Sequence, residues 1–425
     1  MKMRLLLVAA VFAYDAMGQR VLQRYDLRAY ANATCNDGTP AVYYFQPATS
    51  PALEHIYVLQ QEGGGWCWSQ TSCTERQMTS PSLMTSLGAP TSYTAPGGSI
   101  LDATGTRFAG ANVAYLRYCT SDGYIGNSGA SPATGGLSFR GRRVVEATIA
   151  ALAGRHGLGR KSNASSASAA PATLLYSGCS AGGRGVMHNL NYVAKQVSQL
   201  AGRNARVFGL IDSGLYIDLT PLPNATSGGA NVTALRDQAK GIVSYAGAAV
   251  DPICASMFPG DERYRCLLGE YAIGNGTLQA PHLVHAFQFD AYQLCVDLRL
   301  PQWECWSLTK DEIGAHGRTW SDYISTFRAR TRGVLLGGGG APHGLAVHSA
   351  ACYKHCNTQS AGFSLGYKVQ GVSLAAAFDH FAFGEPASTS PPLSESSVLL
   401  VENCTGFSCG DDCRAVEPNE QFDAP

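Results

Sequence analysis

The segment Leu174-Leu175-Tyr176-Ser177-Gly178-Cys179-Ser180-Ala181-Gly182-Gly183 restricts the possible folds of this chain more than any other. The β-prone run Thr173–Tyr176 leads into it, and a helical pattern over Arg184–Leu200 leads out. Between them lies Gly-x-Ser-x-Gly. A turn that joins a strand to a helix so abruptly forces its central residue into a strained backbone conformation. The residues two positions to either side must then be very small, and Gly178 and Gly182 meet that demand. Such a turn sets Ser180 at the top of a sheet and at a helix start, whose unpaired N–H groups favour negative charge. Ser180 is therefore the candidate nucleophile, and the Ala181 N–H is the first candidate donor to an oxyanion.

The rest of the chain supplies the alternation that such a turn requires. Strands are predicted at Ala41–Phe45, His55–Leu59, Asn112–Tyr118, Val207–Ile211 and His282–Gln288, with a short one at Gly333–Leu336. Helices are predicted at Arg142–Ala153, Ala291–Asp297 and Thr319–Arg330. Ser162–Pro171 reads as a surface linker, residues 220–280 as an irregular insertion or cap, and 387–425 as a Ser/Pro- and Cys-containing tail. Strands alternating with helices over this length imply an α/β fold with a mostly parallel sheet. The expected division is 1–18 as a leader, 19–386 as the catalytic domain and 387–425 as the tail.

A second glycine-rich turn precedes the serine. The strand His55–Leu59 runs through Gln60-Gln61-Glu62 into Gly63-Gly64-Gly65-Trp66-Cys67. Glycines let a backbone turn its N–H groups toward a carbonyl oxygen without obstruction. Gly64 and Gly65 are the candidate partners of Ala181. A carboxylate in this loop would oppose the developing charge, so Glu62 reads as structural.

A serine hydroxyl needs a histidine to take its proton and a carboxylate to orient that histidine. In α/β-hydrolases the order is serine, acid, histidine. His282, His285, His316, His343, His348, His355 and His380 follow the serine. His282 and His285 lie within a strand; His343 and His348 lie in a glycine-rich stretch; His355 lies between Cys352 and Cys356. Asp212 and Asp290 both follow strands, where α/β sites collect, and both are candidate acids.

The segments Glu62–Cys67, Ser177–Gly183, Ile211-Asp212-Ser213-Gly214, Phe289-Asp290-Ala291-Tyr292-Gln293-Leu294 and Cys352-Tyr353-Lys354-His355-Cys356 together resemble the pectin acetylesterase family. That family includes the animal Wnt-deacylating esterase Notum. The resemblance spans residues 40 to 385 and implies an α/β-hydrolase-like fold, a Ser-Asp-His triad and hydrolysis of carboxylic esters. It selects Asp290 as the acid and His355 as the base beside Ser180, with acetylated polysaccharide as the expected substrate of a monomeric enzyme; the alternatives are removal of a fatty acyl group from a lipid-modified protein, as in the Notum branch, or an inactive carbohydrate-binding relative. Arg184 is a departure, because family members usually carry a small or apolar residue there.

The N-terminus and the cysteines indicate the compartment. Lys2 and Arg4 precede the apolar run Leu5–Ala13, the pattern of a secretory signal peptide too short to span a bilayer. Six N-glycosylation acceptor patterns begin at Asn32, Asn163, Asn224, Asn231, Asn275 and Asn403, which agrees with export. In an oxidising compartment the fourteen cysteines are expected as disulfides rather than zinc ligands. Cys352, His355 and Cys356 therefore read as a cross-linked loop, and no metal or organic cofactor is expected. Cys67 with Cys73, Cys254 with Cys266, and Cys404, Cys409 and Cys413 among themselves are candidate pairings. Lys and Arg number 31, as do Asp and Glu, so the basic excess of a nucleic-acid binder is missing.

Overall fold

The computed structural model describes residues 19–413, apart from 160–169, 203, 224–232, 301–304, 307, 338–344 and 385–397. The leader, most of the Ser162–Pro171 linker and His343 fall outside the described residues. Twelve strands are present among those described: β1 Val21–Asp26, β2 Val42–Gln46, β3 Ile56–Gln61, β4 Ser92–Thr94, β5 Asn112–Leu116, β6 Thr173–Cys179, β7 Arg206–Asp212, β8 His282–His285, β9 Phe289–Asp290, β10 Leu345–Ser349, β11 Tyr353–Lys354 and β12 Leu399–Val401. Ten form one sheet in the order β12-β10-β8-β7-β6-β3-β5-β2-β1-β4. From β12 to β5 every pairing is parallel, while β2, β1 and β4 close one edge antiparallel.

The principal helices are α1 Gln70–Thr79, α2 Gly141–His156, α3 Ala181–Ala201, α4 Leu235–Tyr245, α5 Ala291–Leu298, α6 Gly317–Leu335 and α7 Leu374–Phe383. Side chains alternate across the sheet, so each central strand feeds two cores. Tyr57, Leu59, Leu174, Tyr176, Val207 and Ile211 pack with Val144 and Ile149 of α2 and with Val186 and Leu190 of α3. Val58, Leu175, Leu210 and Leu283 face the other way, toward Leu374, Ala377 and Phe378 of α7. Both faces are covered, which is why these strands read as continuous apolar runs.

Chain order determines where a site forms. β3 and β5 build outward from β6 in one direction, and β7, β8, β10 and β12 in the other. The reversal leaves a crevice beyond the carboxyl ends of β3 and β6, the place where open α/β sheets bind ligands. Gln61 of β3 pairs with Gly178 of β6, so the glycine loop and the serine turn leave the sheet side by side.

Several expectations are corrected. Gly333 to Leu335 lie within α6 instead of a strand, because Trp320, Ile324, Phe327 and Leu335 bury one helical face. His348 lies in β10, a parallel strand between β8 and β12, and not in a loop. The 220–280 region is built around α4 and shorter helical turns; Leu235, Ala239 and Ile242 pack with Trp66, Ile125 and Phe139. Beyond Ala387 the chain contributes β12 to the sheet edge. Among the described residues no helix is long and apolar enough to cross a membrane.

Candidate active site

The turn between β6 and α3 has the strain its sequence implies. Ser180 adopts φ 57° and ψ −117°, and its N–H donates to the Asp212 carbonyl at 3.0 Å. A Cβ on Gly178 would strike the Gly182 backbone, and one on Gly182 would strike the carbonyls of Gln61 and Glu62. Both glycines are thus demanded by close backbone approach. Ser180 is buried, and its Oγ lies 3.3 Å from the Tyr216 hydroxyl.

The loop after β3 passes directly against this turn. A Cβ on Gly63 would sit 3.2 Å from Ser180 Cβ. Gly64 and Gly65 both take positive φ, 131° and 65°. Their carbonyls are drawn away by donors: Arg76 Nη2 to Gly64 O at 2.5 Å and Tyr118 Oη to Gly65 O at 2.9 Å. Arg76 is itself held by Ser121 Oγ at 2.7 Å. Because N–H and C=O of one peptide point oppositely, these bonds turn the Gly65 and Trp66 N–H groups to the other side. The N–H groups of Gly64, Gly65 and Ala181 find no acceptor among the described residues. Glu62 is structural in the sense expected: its Oε2 accepts from the Tyr118 N–H at 2.6 Å, and burial pushes its carboxyl pKa up.

His355 and Asp290 meet through a pairing that the sequence does not reveal. β9 and β11 form a separate two-stranded parallel ladder with Asp290 opposite Lys354. Asp290 therefore stands beside His355, and its Oδ2 lies 2.8 Å from His355 Nδ1. The other oxygen, Oδ1, accepts from the Gln293 N–H at 2.9 Å and caps α5. A carboxyl oxygen accepting at Nδ1 leaves Nε2 as the basic nitrogen, and Nε2 is buried with no partner. The Tyr292 ring lies 5.4 Å from the imidazole, centroid to centroid, and helps to wall it in.

Asp212 does something else. Its Oδ2 accepts from the N–H groups of Asn357 and Thr358 at 2.8 and 2.7 Å and from Thr358 Oγ1 at 2.8 Å. Ser213 Oγ accepts from the Cys356 N–H at 2.9 Å. The end of β7 thus grips the three residues that follow His355. Asp212 is wholly buried, which raises its pKa, while these hydrogen bonds act in the opposite sense.

All fourteen cysteines are paired. Cys67–Cys73, Cys254–Cys266 and Cys404–Cys409 agree with the candidate pairings, but Cys413 bridges to Cys352. Cys356 bridges to Cys179, with their Cα atoms 5.6 Å apart. One cross-link therefore joins the residue before Ser180 to the residue after His355. Cys179, His355 and Cys356 lie close enough to suggest a metal site, but the two sulfurs are bonded to each other and only the imidazole remains.

The contacts of three residues at the site are not readable from the sequence. Tyr216, two residues beyond Gly214, reaches Ser180 Oγ. The Trp66 N–H joins the loop donors, while its indole Nε1 donates to Gln238 Oε1 of α4 at 2.8 Å, which ties the insertion over the site. Arg184 is inserted between Trp66 and Tyr216, its Cζ 3.6 and 3.7 Å from the two ring centroids. The glycines and the aspartate segment were legible; these contacts depend on loops distant in sequence.

The family model described as Pectinacetylesterase matches residues 19–390. The human palmitoleoyl-protein carboxylesterase NOTUM is 30% identical over 405 residues, covering 94% of this chain and 74% of that protein. Pectin acetylesterase 11 of Arabidopsis thaliana is 24% identical over 399 residues, 91% of each. The solved structure of the Wnt deacylase Notum from Drosophila superposes with a TM-score of 0.74 at 25% identity, covering 93% of this chain and all of that one.

Proposed function

This chain belongs to the pectinacetylesterase family of carboxylic ester hydrolases, and from that premise we propose that it is a secreted, monomeric serine esterase that removes acetyl groups from a cell-wall polysaccharide such as pectin. Ser180 attacks the acetyl carbonyl. His355 Nε2 takes the serine proton and passes it to the departing sugar hydroxyl, while Asp290 holds the imidazole through Nδ1. The N–H groups of Gly64, Gly65 and Ala181 receive the oxyanion, with Trp66 as a further donor. Water activated by His355 then attacks the acyl-enzyme and releases acetate. No cofactor enters the scheme. Export is supported by disulfide pairing of every cysteine and by the exposure of Asn32, Asn275 and Asn403 in their acceptor patterns.

The short acyl group rests on one observation. The Arg184 guanidinium is buried between Trp66 and Tyr216, and Tyr216 touches Ser180. A long hydrocarbon chain laid there would meet an unpaired charge, which burial makes costly. The second reading, fatty-acyl removal from a lipid-modified protein, is favoured by the 30% identity to the human palmitoleoyl-protein carboxylesterase. Turnover of nitrophenyl esters from two to sixteen carbons decides between them. A kcat/KM that falls steadily beyond four carbons supports acetyl removal; a maximum above eight carbons overturns it.

A further inference from the structure

Ser180 is not hydrogen-bonded to its base in this structure. Among the described residues, the one hydrogen-bond partner of Ser180 Oγ is the Tyr216 hydroxyl, at 3.3 Å, and His355 Nε2 is buried with no partner. The contact is exclusive in the other direction too, because Tyr216 Oη meets no other donor or acceptor among the described residues. A phenylalanine would fill the same space, so packing alone does not call for the oxygen. A buried hydroxyl is costly unless it is hydrogen-bonded, and Tyr216 is 5% exposed.

The fold holds that hydroxyl in place against backbone strain. Tyr216 takes φ 42° and Ser213 φ 49°, the left-handed region that residues other than glycine rarely enter. The following residue is clamped by one side chain of α5: the Ile217 N–H donates to Gln293 Oε1 at 2.9 Å, and Gln293 Nε2 donates to the Ile217 carbonyl at 2.5 Å. The Gln293 N–H is also the donor to Asp290 Oδ1, so the turn of helix that holds the acid holds Tyr216 as well. The Tyr216 ring meets Tyr292 edge-on, centroids 6.0 Å apart, and Arg184 Cζ lies 3.7 Å from its centroid. Burial holds the Tyr216 pKa above its ordinary value, while the Arg184 charge acts in the opposite sense. The hydroxyl therefore keeps its proton at neutral pH, and the cation on its ring strengthens it as a donor.

We propose that Tyr216 is a further catalytic residue, a hydrogen-bond donor to Ser180 Oγ in both halves of the reaction. The proposal rests on the serine-esterase reading. In acylation the Oγ–H bond breaks toward His355 Nε2 while the bond from Oγ to the acyl carbon forms, and the Tyr216 O–H stabilises the negative charge that grows on Oγ. In deacylation water adds to the acyl carbon and gives its proton to His355. The carbon–Oγ bond then breaks, Oγ leaves with the electron pair and regains a proton from His355, and the Tyr216 O–H again supports the departing oxygen. Tyr216 keeps its own proton throughout. Catalytic hydrogen bonds are often long before substrate binds and tighten as charge develops, so 3.3 Å is the starting distance. Gly64, Gly65 and Ala181 serve the carbonyl oxygen; Tyr216 serves the serine oxygen.

Tyr216→Phe removes one oxygen and leaves the ring contacts. A hydrogen bond to a charged group corresponds to about tenfold to a hundredfold in rate. A loss of that size is expected in kcat for nitrophenyl acetate and in the rate at which a fluorophosphonate labels Ser180, with the circular dichroism spectrum unchanged. Tyr216→3-fluorotyrosine then varies donor strength while nearly keeping the shape. Its more acidic O–H is expected to raise the labelling rate at pH 7 above wild type, an effect that a hydroxyl with only a structural role does not produce. A Tyr216→Phe labelling rate within about twofold of wild type, or a fluorotyrosine rate no higher than wild type, overturns the proposal and leaves the esterase intact. If Tyr216→Phe fails to fold, the fluorotyrosine protein decides. A wild-type protein that neither hydrolyses nitrophenyl acetate nor takes the label overturns the esterase reading, and the proposal falls with it.

Discussion

Replacing Asp290 or Asp212 by asparagine separates an orienting carboxylate from an architectural one. Asp290 gives one oxygen to His355 Nδ1 at 2.8 Å and the other to the Gln293 N–H at 2.9 Å. Asparagine is as good a helix cap as aspartate, so Asp290→Asn preserves the α5 cap and shifts stability by only a few tenths of a kcal/mol, roughly. Its amide, however, offers either a donor or a neutral acceptor to Nδ1, which disfavours the required tautomer and the imidazolium. The expected loss in kcat is about 10³–10⁴. Asp212→Asn retains an oxygen for the Asn357 and Thr358 N–H groups, and turnover is expected within about tenfold of wild type, since no more than about 1–1.5 kcal/mol of positioning is lost. Asp212→Ala is different. It leaves two buried backbone N–H groups without acceptors, at about 1–3 kcal/mol each, or roughly 2–6 kcal/mol in all. For a chain of this size that corresponds to about 2–6 °C in Tm. Steady-state hydrolysis of nitrophenyl acetate and a thermal melt on each variant measure both quantities. If Asp212→Asn loses about 10³ in kcat and Asp290→Asn does not, the assignment is reversed.

Three further outcomes are expected. Ser180→Ala should fold normally and lose both turnover and labelling by a fluorophosphonate; retained labelling elsewhere in the site with normal turnover refutes the nucleophile. The paired variant Cys179→Ala/Cys356→Ala should lose about 2–5 kcal/mol of stability. It should lose about a hundredfold in kcat, because a displacement of about 1 Å between serine and histidine suffices for that; a kcat within twofold of wild type shows that the cross-link does not position the base. His188, His285 and His348 are buried with pKa values lowered to about 3, about 4 and about 3, chiefly by burial. The folded form therefore stays neutral while unfolded histidines take up protons below about 6.5. Stability should be full above that pH and fall between about 6.5 and 4, by about 1.4 kcal/mol per pH unit for each histidine once both the pH is below the unfolded value and above the folded one. Urea midpoints that stay constant between pH 6.5 and 4.5 contradict this.

The local chemistry of the site is written in short segments of sequence because its physical causes are short-ranged. A serine turn between strand and helix needs Gly178 and Gly182, since any Cβ there collides with a neighbouring backbone. Gly64 and Gly65 sit at positive φ and so appear as glycines. The alternation of strands and helices that implies a parallel sheet is likewise local. Asp290 and His355 were recognisable from their segments, but the reason they meet is the β9–β11 ladder, a pairing of residues far apart in the chain. Composition and spacing had no means to reveal that Cys356 closes on Cys179, that Asp212 grips the residues after His355, or that β10 and β12 extend the sheet. The α6 helix absorbed a segment that reads as a strand because its apolar face continues to Leu335. Arg184 shows the division most directly. Its sequence position marks it as out of keeping with a small-residue turn, yet only the fold reveals that its guanidinium is buried against the Trp66 and Tyr216 rings, with Nε and Nη2 finding no acceptor among the described residues. Backbone strain and periodicity act over a few residues and are readable along the chain; burial, ladder pairing and charge isolation depend on what the fold brings near, and only the tertiary structure decides them.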